Sequence, residues 1–487
     1  MKHVSGIDRE QITLFPDSVD EYISSDNPVR FLDAFVDHLD MASLGFKHAS
    51  LRETGRPPYH PGDLLKLYLY GYINRIRSSR LLERESKRNL EVMWLLRRLS
   101  PDHKTISDFR RCNSQALREV FKQFVLLCKS LSLFNAELVA IDSTKFKAIN
   151  SRARVKNRDQ LEKAITRVEE SISHYLEQLE QNDEDEDGDE DESKGSLSKE
   201  ELQKKIEYLN KRKKRLEAAA DEIKSSGDKH ISLTDSDSRL MKNEGRIQPS
   251  YNVHAAVDSK NSLILGYEIS QNAADNNYLS VLAISSKQRL DAEELTVCAD
   301  AGYYDTTDIK ECEDNSITTY VPIPEQKVSK KTGVPQPDFY HDRFLYDGDL
   351  DTYCCPAGHA MNYYTTTKKY DGRRVGIYRT AACKNCTLRF SCTTSPRGRY
   401  IYRWEHEAVL DRLKQRLKDN PQILKRRKEI IEHIFGTLKK IWGYNSLLVR
   451  GLQNISGEVA LMSLTYNMRR ALSILGTQRL IYHLQEI

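Results

Sequence analysis

Nothing in this chain of 487 residues is apolar for long: no run approaches the roughly 18–20 consecutive apolar residues that a membrane helix needs. An integral membrane protein is therefore excluded. The N-terminus, MKHVSGIDREQITLFPDS, carries charge where a signal peptide has its apolar core, so export is not expected. Glycine (22) and proline (14) are too scarce for a fibrous or low-complexity chain. A strong charge of one sign is lacking as well. Lys+Arg 75 against Asp+Glu 71 leaves a net charge of only +4, which permits a nucleic-acid partner without showing one. Cysteine is sparse, nine in all, and no disulfide scaffold is implied; Cys354, Cys355, Cys383, Cys386 and Cys392 nevertheless crowd one short region, which points to metal. What remains, 39% hydrophobic and 30% charged, describes a folded chain long enough for about three domains.

Residues 1–130 read as helical. "HPGDLLKLYLYGY" opens with proline at a helix start, and its leucines are too dense for a surface helix. Arginines crowd the stretch that follows, among them Arg75, Arg77, Arg80, Arg97, Arg98, Arg110 and Arg111. Pro101 breaks the pattern, with Thr105 or Ser107 as caps for the next helix. The period then changes. "AELVAIDSTKF" is a short apolar run that predicts a buried strand ending in the carboxylate of Asp142. Leu161, Ile165, Val168, Ile172, Tyr175 and Leu179 alternate steps of four and three, and a second seam runs from Leu202 to Ala220. Joined by the acidic tract Asp183–Glu192, the two seams predict an antiparallel helical hairpin over 158–229, with the tract as its solvated loop.

Strands return in "YNVHAAVDSKNSLILGYEI", a hairpin turning at Asp258–Asn261, and a helix is expected over about 277–290. "ELTVCADAGYYD" predicts a second buried strand ending in a carboxylate, Asp300, and "ITTYVPI" another strand. The Cys-rich section follows, and the chain is mostly helical from about 405 to 475. Two carboxylates at the ends of neighbouring strands, with a third on a nearby helix, can hold two Mg²⁺ ions. Such a pair clamps the attacking and leaving oxygens of a phosphodiester exchange. A strand-ending Asp alone says little, because Asp commonly starts turns.

Taken together, "HPGDLLKLYLYGY", "SPDHKTISDFRR", "AIDSTKFKA", "YNVHAAVD", "CADAGYYD" and "RRKEIIEHIFGTLKKIWGY" resemble the bacterial insertion-sequence transposases with a DDE triad on a ribonuclease-H-like core. The resemblance implies catalytic, Mg²⁺-binding roles for Asp142, Asp300 and Glu432. In that family the glutamate helix often reads Tyr, two residues, Arg, three residues, Glu, six residues, Lys. Here those positions are Lys425, Lys428, Glu432 and Lys439, so the tyrosine is missing and lysine replaces arginine. Lys428 and Lys439 would flank the carboxylate and meet DNA phosphate. The arginines named above would hold the ends of the element. An apolar stripe of Ile431, Ile434, Phe435, Leu438 and Trp442 puts Glu432 at its border and Glu429 toward solvent, at ~100° per residue.

The expected architecture is α/β: a helical N-terminal DNA-binding region (1–130), then a ribonuclease-H-like mixed-sheet core over 131–157, 230–325 and 400–475. The core is interrupted by the helical hairpin (158–229) and by a Cys-rich insertion (326–399). Cys355, Cys383, Cys386 and Cys392 have zinc-ribbon-like spacing and are candidate ligands of a structural Zn²⁺. Lone histidines such as His254 and His433 read as structural. The activity expected from the resemblance is Mg²⁺-dependent cleavage and strand transfer at the ends of an insertion sequence. Its partners would be double-stranded DNA and a second copy of the chain, as a homodimer or higher, in the bacterial cytoplasm at the nucleoid. The alternatives are a Mg²⁺-dependent nuclease on the same fold and an inactive, DNA-binding transposase relic.

Overall fold

The computed structural model describes residues 18–50, 57–185, 197–324, 333–370 and 372–486. Six helices come first: α1 (Pro28–Asp37), α2 (Pro61–Ile73), α3 (Ser79–Ser86), α4 (Leu90–Leu95), α5 (His103–Cys112) and α6 (Ser114–Ser130). Strands β1 (Leu138–Lys147) and β2 (Val155–Lys156) lead into two long helices, α7 (Arg158–Asp185) and α8 (Lys199–Ser226). After them come β3 (Ile231–Ser232), β4 (Arg239–Asn243), β5 (Arg246–Asp258) and β6 (Ile264–Ser270). Helix α9 (Leu279–Leu290), β7 (Leu295–Ala299), α10 (Thr306–Asp314) and β8 (Ile317–Tyr320) alternate. The Cys-rich section holds β9 (Leu345–Asp347), β10 (Thr352–Cys354), β11 (Ala360–Lys368), β12 (Arg374–Arg379), the single turn α11 (Arg389–Cys392) and β13 (Ile401–Trp404). Helices α12 (Glu407–Asp419), α13 (Ile423–Gly436), α14 (Leu452–Leu475) and α15 (Thr477–Glu486) complete it. Among the described residues no helix is long and apolar enough to cross a membrane.

The chain forms two compact units. One comprises Met1–Asn135, Asp142–Ala274 and Ile430–Ile487; the other comprises Ala136–Ile141 and Asp275–Glu429. Strand β1 and helix α13 each run from one unit into the other.

In the first unit, β4 and β6 both pair antiparallel with β5, and β1 is the neighbour of β5 on the far side from β4. Asn243 pairs with Arg246 across the two-residue turn Glu244–Gly245, where both φ angles are positive (51° and 78°). A glycine at the second position suits that turn, whose twist matches the flanking strands. The N-terminal helices belong to this same unit. Helix α5 is capped by Asp102, whose Oδ1 accepts from Lys104 N (2.9 Å) and Thr105 N (3.0 Å). The cap is thus Asp102, one residue after Pro101, in place of the expected Thr105 or Ser107. Helices α7 and α8 pack through Leu161, Val168, Leu216, Ala219, Ala220 and Ile223. The acidic tract expected between them lies outside the described residues beyond Asp185.

The second unit holds a parallel set in which β7 stands between β1 and β8. The register runs Leu138↔Thr296 to Ile141↔Ala299 on one side and Leu295↔Ile317 to Cys298↔Tyr320 on the other. The Cys-rich section is a separate antiparallel sheet in the order β13-β12-β11-β10-β9, built on Phe344, Tyr353, Met361, Tyr378 and Ile401.

One carboxylate ties the helices of the first unit to its sheet. Glu458, in the second turn of α14, is fully buried. Its Oε2 accepts from Leu448 N (2.8 Å) and Val449 N (3.2 Å), and its Oε1 meets Arg77 (3.3 Å) and the hydroxyl of Tyr72 (3.5 Å). Arg77 also donates to Ser446 O (3.0 Å), and Ser446 bridges to Lys147 at the end of β1. Removing the acid would strand a guanidinium and two amides in the interior. Glu458→Ala is expected to cost about 3–5 kcal/mol in urea unfolding, the usual range for breaking a buried ion pair. A loss below ~1 kcal/mol, no more than an exposed pair contributes, would show that the network is not structural.

Candidate active site and nucleic-acid interface

In the first unit, Asp142 is half-buried, and its Oδ1 accepts from Ser143 N (2.7 Å). It does not end its strand as expected. The first four residues of β1 are buried, the next four half-buried, and the strand continues to Lys147. Unbroken burial stops at Ile141, but backbone pairing does not: Ala148 N donates to Pro249 O (2.9 Å), and Lys147 O accepts from Leu447 N (2.9 Å). Apolar pattern reports burial alone, so the strand appeared shorter than it is.

On α13 and the turn after it, Ile430, Ile431, Ile434, Leu438 and Trp442 are buried. Glu432 is exposed; Lys428 and Glu429, on the part of α13 in the second unit, are exposed too. His433 Nε2 lies 3.2 Å from the hydroxyl of Tyr466. From Thr437 to Ile441 the helix widens into a π-helical turn. Such a turn bonds i to i+5, so Lys439 loses the face that α-helical spacing from Glu432 would give it. Its ammonium donates to Lys145 O (2.9 Å) and Asn243 Oδ1 (3.3 Å) and pairs with Glu244 (3.5 Å). Burial holds its pKa below the ordinary lysine value. Lys439 therefore acts as an internal strut joining the end of this helix to β1 and to the β4–β5 turn.

In the second unit, Asp300 follows β7 directly and caps the short turn Ala301–Tyr303, its Oδ1 accepting from Gly302 N (2.9 Å). A Cβ on Gly302 would stand 2.9 Å from Asp275 Oδ2 and 3.0 Å from Asp300 Oδ1. Two carboxylates thus converge over a position that only glycine leaves open. Asp275 was missed in the sequence because "NAADNN" lies in a loop without hydrophobic period.

The arginines divide into two groups. Arg75, Arg80, Arg97, Arg98 and Arg111 are exposed, with Arg97 3.2 Å from Asp63 and Arg111 2.8 Å from Asp108. Arg77 and Arg110 must be withdrawn from the expected DNA-facing set. Arg77 serves Glu458 and lies 4.2 Å over the Tyr444 ring. Arg110 is buried, donates to the hydroxyl of Tyr72 (3.0 Å) and faces the Tyr68 ring. Its ionised form is favoured by the electron-rich groups around it despite the burial.

Cys355, Cys383, Cys386 and Cys392 line one small cavity of about 30 Å³, together with His359. Burial, reinforced by the three neighbouring thiols, pushes the Cys392 thiol up to about 11. As placed, no three His, Cys, Asp or Glu side chains among the described residues stand close enough together to hold a metal ion. That applies to the thiols and to the carboxylates alike. The cysteine set has the donor chemistry of a tetrahedral thiolate centre, and the carboxylates have the hard oxygens that Mg²⁺ prefers.

Residues 17–112 match the family model described as "Transposase domain (DUF772)", and residues 354–472 match the one described as "Transposase DDE domain". The second match covers the cysteines, Glu432 and the lysines around it; Asp142 and Asp300 lie outside it. Comparison with curated proteins gives no match. Among solved structures, a cryo-EM structure of the piggyBac transposase synaptic complex with hairpin DNA aligns at 10% identity. The alignment covers 92% of this chain and 82% of that one, with a TM-score of 0.25, too low to carry an argument. The two family matches, one near each end, liken the chain to DDE-type transposases.

Proposed function

We propose that the chain catalyses Mg²⁺-dependent strand cleavage and strand transfer at the ends of an insertion sequence, with Asp142, Asp300 and Glu432 as its catalytic carboxylates. The observation that carries this reading is the register of the parallel pair. Ile141 is opposite Ala299 in that pair, and Asp142 and Asp300 are the residues that come next in the sequence. The strand pairings favour a ribonuclease-H-like core: in the first unit β1 neighbours β5 and β5 pairs with β6, and in the second β1 pairs with β7 and β7 with β8. Asp300 then follows the fourth core strand, where the resemblance puts the second acid.

Two Mg²⁺ ions, when bound, would supply the positive charge that stabilises the attacking and leaving oxygens of the phosphodiester. The chain's part is to hold the acids. Ser143 N and Gly302 N each fix one carboxylate oxygen, and Asp275 adds negative charge beside Asp300. Side-chain rotation has to complete the cluster. Lys428 and the exposed Arg75, Arg80, Arg97, Arg98 and Arg111 are assigned to DNA phosphates, which require only positive charge within reach. Synapsis of two ends would take at least a dimer, acting in the bacterial cytoplasm on nucleoid DNA.

Glu432→Gln is expected to abolish strand cleavage with DNA binding nearly intact, while Glu429→Gln keeps most activity. The amide preserves shape and removes the charge that helps hold Mg²⁺. An active Glu432→Gln protein together with an inactive Glu429→Gln protein would overturn the assignment. The four cysteines are proposed to bind one structural Zn²⁺ per chain, releasing their protons as they do so. Elemental analysis of protein purified without added metal should give a stoichiometry near one. Near-zero zinc with four reactive thiols would rule that out.

A further inference from the structure

The first unit carries a basic groove that neither the triad nor the N-terminal arginines account for. It is open, about 740 Å³ in volume, and lies where the residues after β1 meet the β4–β5 hairpin. Lys147, Arg152 and Arg246 line it, and all three are exposed. No carboxylate is among its lining residues, and none of the three cations forms an ion pair among the described residues. Glu244, beside Gly245 in the hairpin turn, is 3.5 Å from Lys439. The lining also includes the amides of Asn150 and Gln248 and the side chain of Ile247, which is 51% exposed.

Such an arrangement is costly to leave without a partner. Three unpaired cations in one groove repel one another, and an exposed isoleucine at a hairpin start gains nothing from water. The tight Glu244–Gly245 turn sets the positions of Arg246 and Ile247, so the hairpin side of the groove is presented by paired backbone. Positive charge, amide donors and one apolar side chain together are what a DNA backbone and the edge of its minor groove require.

We propose that this groove is a second DNA-binding surface, in which Lys147, Arg152 and Arg246 contact phosphates and Ile247 touches the sugar–base edge. The proposal rests on the reading that the chain acts on DNA, and adds to it where the duplex runs beyond the cut. Lys147 lies five residues after Asp142 on β1, roughly 17 Å at strand rise, a span of about five base pairs. Alternation along the strand turns Lys147 away from the face that Asp142 uses. The groove therefore takes DNA flanking the cleavage point and not the reacting phosphate.

The test measures binding of the full-length protein to a 40-base-pair duplex of arbitrary sequence as salt is varied. Phosphate contacts do not read sequence, so the natural ends are not needed. Each lost contact makes the slope of log K against log salt shallower by about 0.9. The triple variant Lys147→Gln, Arg152→Gln, Arg246→Gln should become shallower by roughly 2–3, with an unchanged unfolding midpoint because all three side chains are exposed. The charge-keeping pair Arg152→Lys, Arg246→Lys should hold the wild-type slope. A triple variant with the wild-type slope overturns the proposal and leaves the transposase reading standing. A triple variant that loses binding to polyglutamate but not to DNA overturns it in favour of an acidic protein segment. Wild-type protein that does not bind the duplex overturns this proposal and the transposase reading together.

Discussion

A fully buried glutamate is the constraint on which the larger unit depends. Glu458 enters the interior charged, and an unpaired carboxylate there would be far too costly to persist. The fold answers with two backbone amides from Leu448 and Val449 and one guanidinium from Arg77. Those partners come from the segment after the π-helical turn and from the chain after α2, so satisfying one charge joins three parts of the sequence. Through Ser446 the same network reaches Lys147 at the end of β1, the strand that carries Asp142. Lys439 makes a second tie from the helix of Glu432 to that strand. The helical N-terminal region is consequently built into the unit that carries Asp142 and Glu432, and its buried arginines serve the interior.

That arrangement explains why the basic residues could not be sorted by composition. Arg77 and Arg110 are indistinguishable from Arg75 and Arg111 in the sequence, yet one pair is enclosed by Glu458, Tyr72, Tyr68 and Tyr444 while the other faces solvent. Glu458 itself is one acid in a long apolar helix, and its partners lie hundreds of residues away in part. Only the packed structure shows which cations it claims.

Local pattern served better where the cause was local. The heptad steps from Leu161 and those ending at Ala220 mark residues that do pack together in α7 and α8. The apolar runs before Asp142 and Asp300 are adjacent parallel strands in register. The cysteine spacing brings four thiols to one cavity. What escaped has non-local causes. β1 runs five residues past Asp142 because pairing outlasts burial. The π-helical turn shifts Lys439 off the face of Glu432, and Asp275 reaches Asp300 only because Gly302 has no side chain. No periodicity in the sequence encodes any of the three.

The central claim is that the carboxylates act on DNA and that the freed end is transferred. The most direct measurement uses wild-type protein, a labelled duplex carrying the DNA that flanks its own gene, and an unlabelled plasmid, with Mg²⁺ or with chelator. The account predicts label joined covalently to the plasmid through the cleaved 3′ ends, in Mg²⁺ alone. Cleaved ends that never join would make the protein a nuclease, and a duplex left intact in Mg²⁺ would contradict the account outright.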